Sequence, residues 1–300
     1  MEAENITHPQ RHRDIQGAIN ELSCRAPSQA ISVEHRNKIL RDFSRTPIGE
    51  HIILTGGANG VWTDYMITYP WTRDASAGEL LSMSRLEYYL LFESPHVLAQ
   101  RELFLLSQKI AQTYVHDDAV LASLPCGVMR DLLSLDFSNH RAHLVGVDID
   151  PESLSAAKDL AMELRVESVD FCMENAWEFE YHSPINFITS IGLNVYEDDR
   201  SQVQELYRKM RAALAPSGAL FTGVITYPPW SEQKSDWNIN RIAAHTVDME
   251  RVFVEDVLDL KWKNYRKLSE VKIDFLEAGF SKVKVFEDTR GIFPGVLAIK

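Results

Sequence analysis

The sequence predicts an α/β fold: a doubly wound, seven-stranded, mostly parallel sheet with a C-terminal antiparallel hairpin, preceded by a helical N-terminal elaboration. Three observations predict it. Short apolar runs alternate with helix-like stretches from about residue 119 to 225, and strands alternating with helices imply a parallel sheet. Two more strand-like runs, Lys282–Phe286 and Gly295–Ile299, close the chain and supply the hairpin. The first 115 residues repeat apolar positions at helical spacing.

Taken in order, Ile15–Leu22 reads as an amphipathic turn or two, and Val33–Phe43 repeats apolar residues at near-helical spacing until Thr46-Pro47-Ile48-Gly49 breaks it. The loop Thr55-Gly56-Gly57-Ala58-Asn59-Gly60 has no Gly-Lys-Ser/Thr after it, so it reads as a turn rather than a phosphate cradle. Leu80–Phe92 and His96–Tyr114 have the period of two long helices, with Pro95 suited to a helix start. The domain division expected is 1–115 for the helical elaboration, or lid, and 116–300 for the sheet domain, with an insertion at about 226–247. Helical sequence is expected again from Asp248 to about Ala278.

Composition narrows the function classes. In 300 residues, 45% apolar content suffices for a full core. A net charge of −12 disfavours a phosphate backbone as partner. Three scattered cysteines, Cys24, Cys126 and Cys172, form no CxxC pair, so neither a disulfide framework nor a metal site is signalled. The opening Met-Glu-Ala-Glu-Asn has no basic or apolar leader pattern, and no eighteen apolar residues run together. The expectation is a cytoplasmic enzyme acting on a small molecule, without nucleic acid or membrane as partner.

The chemistry lies at the strand tips. The first run ends in Pro125-Cys126-Gly127, where glycine lets backbone approach a ligand. The second ends in Asp148, followed by Ile149 and the helix start Asp150-Pro151. A carboxylate at that strand end can accept both hydroxyls of a ribose, while Asp150 suits the helix cap. The third ends in Asn175-Ala176, where an amide offers a donor and an acceptor to an adenine edge. The fourth, Ser190-Ile191-Gly192, leaves the sheet beside the reaction centre. Glycine turn, acid and amide in this order fit a bound adenosine.

Residues 119–225 and 274–300 resemble the class I S-adenosylmethionine-dependent methyltransferases. The likeness covers the tips in order, the turn in Leu214-Ala215-Pro216-Ser217-Gly218 before the fifth strand, and Leu276-Glu277-Ala278-Gly279-Phe280 before the closing hairpin. The family's first motif, an acid followed by three alternating glycines, is reduced here. Ser123 stands at the acid, Pro125 and Met129 at the outer glycines, and Gly127 keeps the middle one. The resemblance implies S-adenosyl-L-methionine as cofactor. It assigns the methionine portion to Pro125, Cys126 and Gly127, and the ribose to Asp148 with Ile149. Asn175 and Ala176 would take the adenine edge, and Ser190, Ile191 and Gly192 the wall under the sulfonium.

The implied reaction is in-line methyl transfer, which needs alignment more than acid or base. Tyr196 and His245 are the candidate bases, and Asn194 a candidate acceptor contact beside Glu197. Two aromatic stretches, Tyr65–Arg73 with Tyr69 and Trp71, and Tyr227–Trp237 with Trp230, suit a cover over an organic acceptor. The fourth tip lacks the Asp/Asn-Pro-Pro-Tyr/Phe pattern for planar amino groups of DNA bases or glutamine. A small or medium organic acceptor is therefore expected. Protein methylation, a non-catalytic cofactor-binding role and a nicotinamide-dependent dehydrogenase are the alternatives.

Overall fold

Parallel strands buried on both faces read as unbroken apolar runs, and such runs make the centre of the sheet. The computed structural model describes residues 14–28, 30–72, 83–180, 184–257, 260 and 262–300. These fall into two compact units, one from the segments 1–101 and 238–261, the other from 102–237 and 262–300. The chain thus leaves the sheet unit after Trp237 and returns at Trp262.

In the sheet unit the strands are β1 (Val120–Ser123), β2 (His143–Asp148), β3 (Val169–Met173), β4 (Ile185–Ser190), β5 (Leu214–Gly223), β6 (Ile225–Thr226), β7 (Tyr265–Arg266), β8 (Lys282–Phe286) and β9 (Gly295–Ile299). Seven of them form one sheet in the order β3-β2-β1-β4-β5-β9-β8. All neighbours through β5 are parallel; β9 pairs antiparallel with both β5 and β8. The strand order reverses between β1 and β4, and ligands of open parallel sheets bind beyond the strand ends at that switch.

Leu121, Leu144, Val145, Val147, Ile185, Phe187 and Ile188 are fully buried, as a sheet covered on both faces requires. On one face the helices Arg200–Ala213 and Leu268–Glu277 close the core, with Tyr207 stacked on Phe275 at 4.3 Å. At the edges the pattern changes. β3 is half-exposed, and β8 carries Lys282 and Lys284, charges that discourage further strand pairing.

The stretch expected as one helix from Asp248 is interrupted. It holds a helix at Ala244–Arg251, a π-helix at Val252–Val257, β7, and a helix at Leu268–Glu277. Tertiary partners override local propensity here: the amides of Lys263 and Asn264 both donate to the Val195 carbonyl, and β7 pairs with β6.

The helical unit follows its capping signals. Asp14, Ser32, Thr46 and Ser84 each accept a backbone amide from the first turn they open. Gly56 ends the helix Pro47–Thr55 at φ +77°, so the glycine-rich loop is a helix-to-helix turn. The Tyr69-Pro70-Trp71 stretch lies in a helix, Gly60–Thr72, although proline removes an amide from its interior. Arg101 compensates, donating to the carbonyls of Met66 at 2.6 Å and Ile67 at 3.0 Å. Arg73 and Leu80 lie outside the described residues.

Candidate functional site

The first tip is held by the strands on either side of it. The amide of Leu124 donates to the Thr189 carbonyl at 2.9 Å, and that of Cys126 to the Val147 carbonyl at 2.8 Å. The turn therefore bridges the ends of β4 and β2. Its Leu124–Pro125 peptide is cis, and Gly127 takes φ +51°. Met129 follows at φ +58°, the left-handed region that glycine enters freely.

Met129 and Cys126 point into the protein rather than into the turn, at 1% and 7% exposure. A Cβ on Gly146 in β2 would sit 2.8 Å from Met129 Sδ and 3.2 Å from Cys126 Sγ. The glycine has changed places. The turn carries a bulky methionine, and the facing strand carries the residue that makes room for it. Burial pushes the Cys126 thiol well above its ordinary range, so it stays protonated and inert.

Asp148 fastens the first and second tips together. Its carboxylate accepts the amide of Gly127 at 2.7 Å and that of Asp150 at 2.9 Å, while Asp150 caps the helix Pro151–Glu163 through Glu152 and Ser153. Capping is thus the work of Asp150, which leaves Asp148 for the tip itself. The residue is 7% exposed, and burial raises its pKa against the pull of those amides. Ile149, beside it, is half-buried.

Asn175 forms a turn in which its Oδ1 accepts the Trp177 amide at 3.1 Å; Ala176 is buried in the core cluster beneath. At the fourth tip the Ser190 carbonyl accepts the Thr222 hydroxyl, and Ile191 is half-buried. Gly192 turns at φ +90°, and a Cβ there would meet no atom within 4 Å. That open space lies just past β4, on the side of the switch in strand order.

The other expected residues are placed as follows. Asn194 is 2% exposed and donates from Nδ2 to Tyr207 at 2.8 Å and to the Gly223 carbonyl at 3.0 Å; its Oδ1 is buried without a partner among the described residues. The Tyr196 hydroxyl accepts from Trp262, and burial raises its pKa, so it is a poor base at neutral pH. Tyr227 stacks on Tyr265 at 5.7 Å, and Trp230 meets Trp237 edge-on at 5.4 Å. In the helical unit Tyr69 is 1% exposed and packs edge-on against Tyr65 and Phe92. Trp71 is 50% exposed on its helix, and His245 lies on the exposed face of another.

Asp131 escaped the sequence reading. It follows the turn in the short helix Arg130–Leu133, and its carboxylate accepts from Ser123 at 3.3 Å and from the Thr189 hydroxyl. The one available signal was indirect: a carboxylate eight residues after the serine that occupies the family's acid position.

Among the described residues no group of three or more His, Cys, Asp or Glu is placed to hold a metal ion. None of the helices they form is long and apolar enough to cross a membrane. No protein-family model matches the chain, and neither does any curated sequence. Solved structures do. A protein of Bordetella parapertussis described as a possible exported protein superposes at TM-score 0.86 and 28% identity, over 96% of this chain and 97% of that one. A candidate O-methyltransferase of Nostoc punctiforme superposes at 0.50 and 19%, over 80% and 70%. The S-adenosylmethionine-dependent methyltransferase SibL superposes at 0.52 and 15%, over 89% and 74%. With the strand order and the antiparallel closing pair, these likenesses show that the chain has the fold of the class I S-adenosylmethionine-dependent methyltransferases.

Proposed function

We propose that the protein transfers a methyl group from S-adenosyl-L-methionine to a small or medium organic acceptor. The observation that carries this reading is Asp148: a buried carboxylate at the end of β2, held by the Gly127 amide beside the switch in strand order. A carboxylate accepts through two oxygens with about four lone-pair sites, so the amides of Gly127, Asp150 and Ile149 still leave capacity for a ribose hydroxyl. Asn175 and the Ala176 amide would meet the adenine edge. Pro125, Cys126 and Gly127 would flank the methionine portion through backbone, their side chains being turned away or fixed. Ser190, Ile191 and Gly192 would border the sulfonium, with the space beside Gly192 left for its substituents.

The bound cofactor would supply an electrophilic methyl group, and the chain's task is to align an acceptor and keep water out. The aromatic pairs Tyr227–Tyr265 and Trp230–Trp237 offer flat apolar surface to an organic acceptor. In the helical unit Tyr69 serves that unit's core, and Trp71 is exposed on its helix. No base is assigned to Tyr196 or His245. A reducing compartment accords with the three unpaired cysteines; the description of the Bordetella protein favours export, and cell fractionation decides between them.

Calorimetric titration tests the reading. Wild type should bind S-adenosylmethionine and S-adenosylhomocysteine but not nicotinamide dinucleotides. Asp148→Ala should weaken binding by about 1.5–3 kcal/mol through loss of a charged hydrogen-bonding group. Unchanged affinity in a folded variant would make Asp148 a structural acid only. Labelled methyl appearing in protein rather than in small acceptors would shift the assignment to protein methylation.

A further inference from the structure

The run Lys261-Trp262-Lys263-Asn264-Tyr265-Arg266-Lys267 holds four bases and no acid, in a chain of 43 acids and 31 bases. Neither the sheet nor the proposed cofactor contacts use that charge. The described part of the run, Trp262–Lys267, is strapped across the carboxyl ends of two strands. Past β4, the Val195 carbonyl accepts the amides of Lys263 at 2.8 Å and Asn264 at 3.1 Å, and the Asn194 carbonyl accepts Asn264 Nδ2 at 3.0 Å. Past β5, β7 pairs with β6, and Tyr265 stacks on Tyr227. Trp262 donates to the Tyr196 hydroxyl and meets Phe293 edge-on at 5.6 Å. Open parallel sheets bind their ligands at carboxyl ends, and β4 ends in the fourth tip.

Of the cations on this strap, Arg266 is spent on Asp274 at 2.6 Å and Glu270 at 3.9 Å. Lys263 is exposed and Lys267 half-buried, and no described residue pairs with either. The neighbouring acids hold backbone instead: Asp236 accepts the Leu268 amide and Glu197 the Asp199 amide, each at 2.8 Å, and Asp199 caps the helix Arg200–Ala213. Beside the strap sits Asn194. The Gly223 carbonyl can only accept, so the amide nitrogen must face it, and Oδ1 is left without a donor among the described residues. Two unpaired cations, an oxygen short of a donor and flat aromatic surface therefore meet along one six-residue segment.

We propose that Lys263 and Lys267 receive an anionic group of the methyl acceptor while Asn194 Oδ1 accepts from its hydroxyl or amine. The substrate class is then an organic anion that carries a hydroxyl or an amine. The assignment rests on the methyl-transfer reading above and narrows it. A protein of net charge −12 repels organic anions from most of its surface, and a local basic strap directs them to one place.

The test titrates the protein, loaded with S-adenosylhomocysteine, with three probes that share a ring and a hydroxyl: 4-hydroxybenzoate, 4-hydroxyphenyl phosphate and the neutral 4-hydroxybenzamide. At least one anion should bind about tenfold tighter than the amide, the worth of a charge-assisted hydrogen bond. Whichever anion leads tells carboxylate from phosphate. Raising salt from about 0.05 M to about 0.5 M should erase that preference. Lys263→Gln, at an exposed position without a partner, should reduce it, and Lys263→Gln with Lys267→Gln should bring all three probes within about twofold, with S-adenosylhomocysteine affinity unchanged. Amide binding as tightly as both anions, a preference that survives the double substitution, or binding of none of the three would overturn the assignment. Wild type that fails to bind S-adenosylhomocysteine would instead defeat the cofactor reading, and the anion preference is then read on the free protein.

Discussion

The two units treat their buried polar groups in opposite ways. In the helical unit Glu250 is 2% exposed and accepts from Tyr89 at 2.6 Å, Ser94 at 2.9 Å and His96 at 2.6 Å. Asp256 takes both the amide and the hydroxyl of Ser28, and Arg36, 1% exposed, donates to the carbonyls of Arg25 and Ser23. At the strand tips of the sheet unit, by contrast, no described residue supplies a cation to Asp131 or a partner to Asn194 Oδ1, and no described atom would lie within 4 Å of a Cβ on Gly192. Buried polar groups that are fully paired hold a structure; those left short mark where something else is to bind. The contrast supports the proposed site at the strand tips without any reference to motif.

The contrast can be broken at each end. The largest effect is expected in the helical unit. Glu250→Ala removes the acceptor that three buried donors share and should cost about 3–5 kcal/mol in urea unfolding. A loss under about 1 kcal/mol would mean that the network is not structural.

Asp131→Asn should act in the other direction on the free protein. Burial raises the folded-state pKa of this acid from 3.8 to about 6. The folded chain therefore holds its proton longer than the unfolded chain does. Stability is greatest below the unfolded value and declines as pH rises from about 4 to about 6, by about 2–3 kcal/mol. The variant should lack that decline and be more stable than wild type at pH 7. Parallel stability–pH curves would show that Asp131 is compensated inside the protein. Gly192→Ala should cost least, about 1 kcal/mol, because only the left-handed backbone is strained and no atom obstructs the Cβ. A much larger loss would show the space at the fourth tip to be filled in the folded chain.

What was legible in the sequence was what rests on periodicity and chain order. The apolar runs of β1, β2 and β4 and the closing pair Lys282–Phe286 and Gly295–Ile299 form the sheet expected of them. The cap expected at Asp150 is there too, a local side chain meeting local amides. The hidden parts depend on contacts distant in sequence. The helix Gly60–Thr72 tolerates Pro70 because Arg101, thirty-five residues from Met66, satisfies the freed carbonyl. β7 exists because the segment 263–266 meets Val195 and β6. At the first tip, Met129 and Gly146 exchange the usual order of large and small, and only their juxtaposition shows that the departure from the glycine pattern leaves the turn clear.

The most direct test of the central claim, that the strand tips of the sheet unit hold the cofactor, is a crystal structure with S-adenosylhomocysteine. It should show the ribose hydroxyls within hydrogen-bonding distance of the Asp148 carboxylate, and the amino-acid tail beside the turn at Gly127. A ligand bound away from Asp148, or a turn closed over its own side chains with no density between β1 and β4, would contradict it.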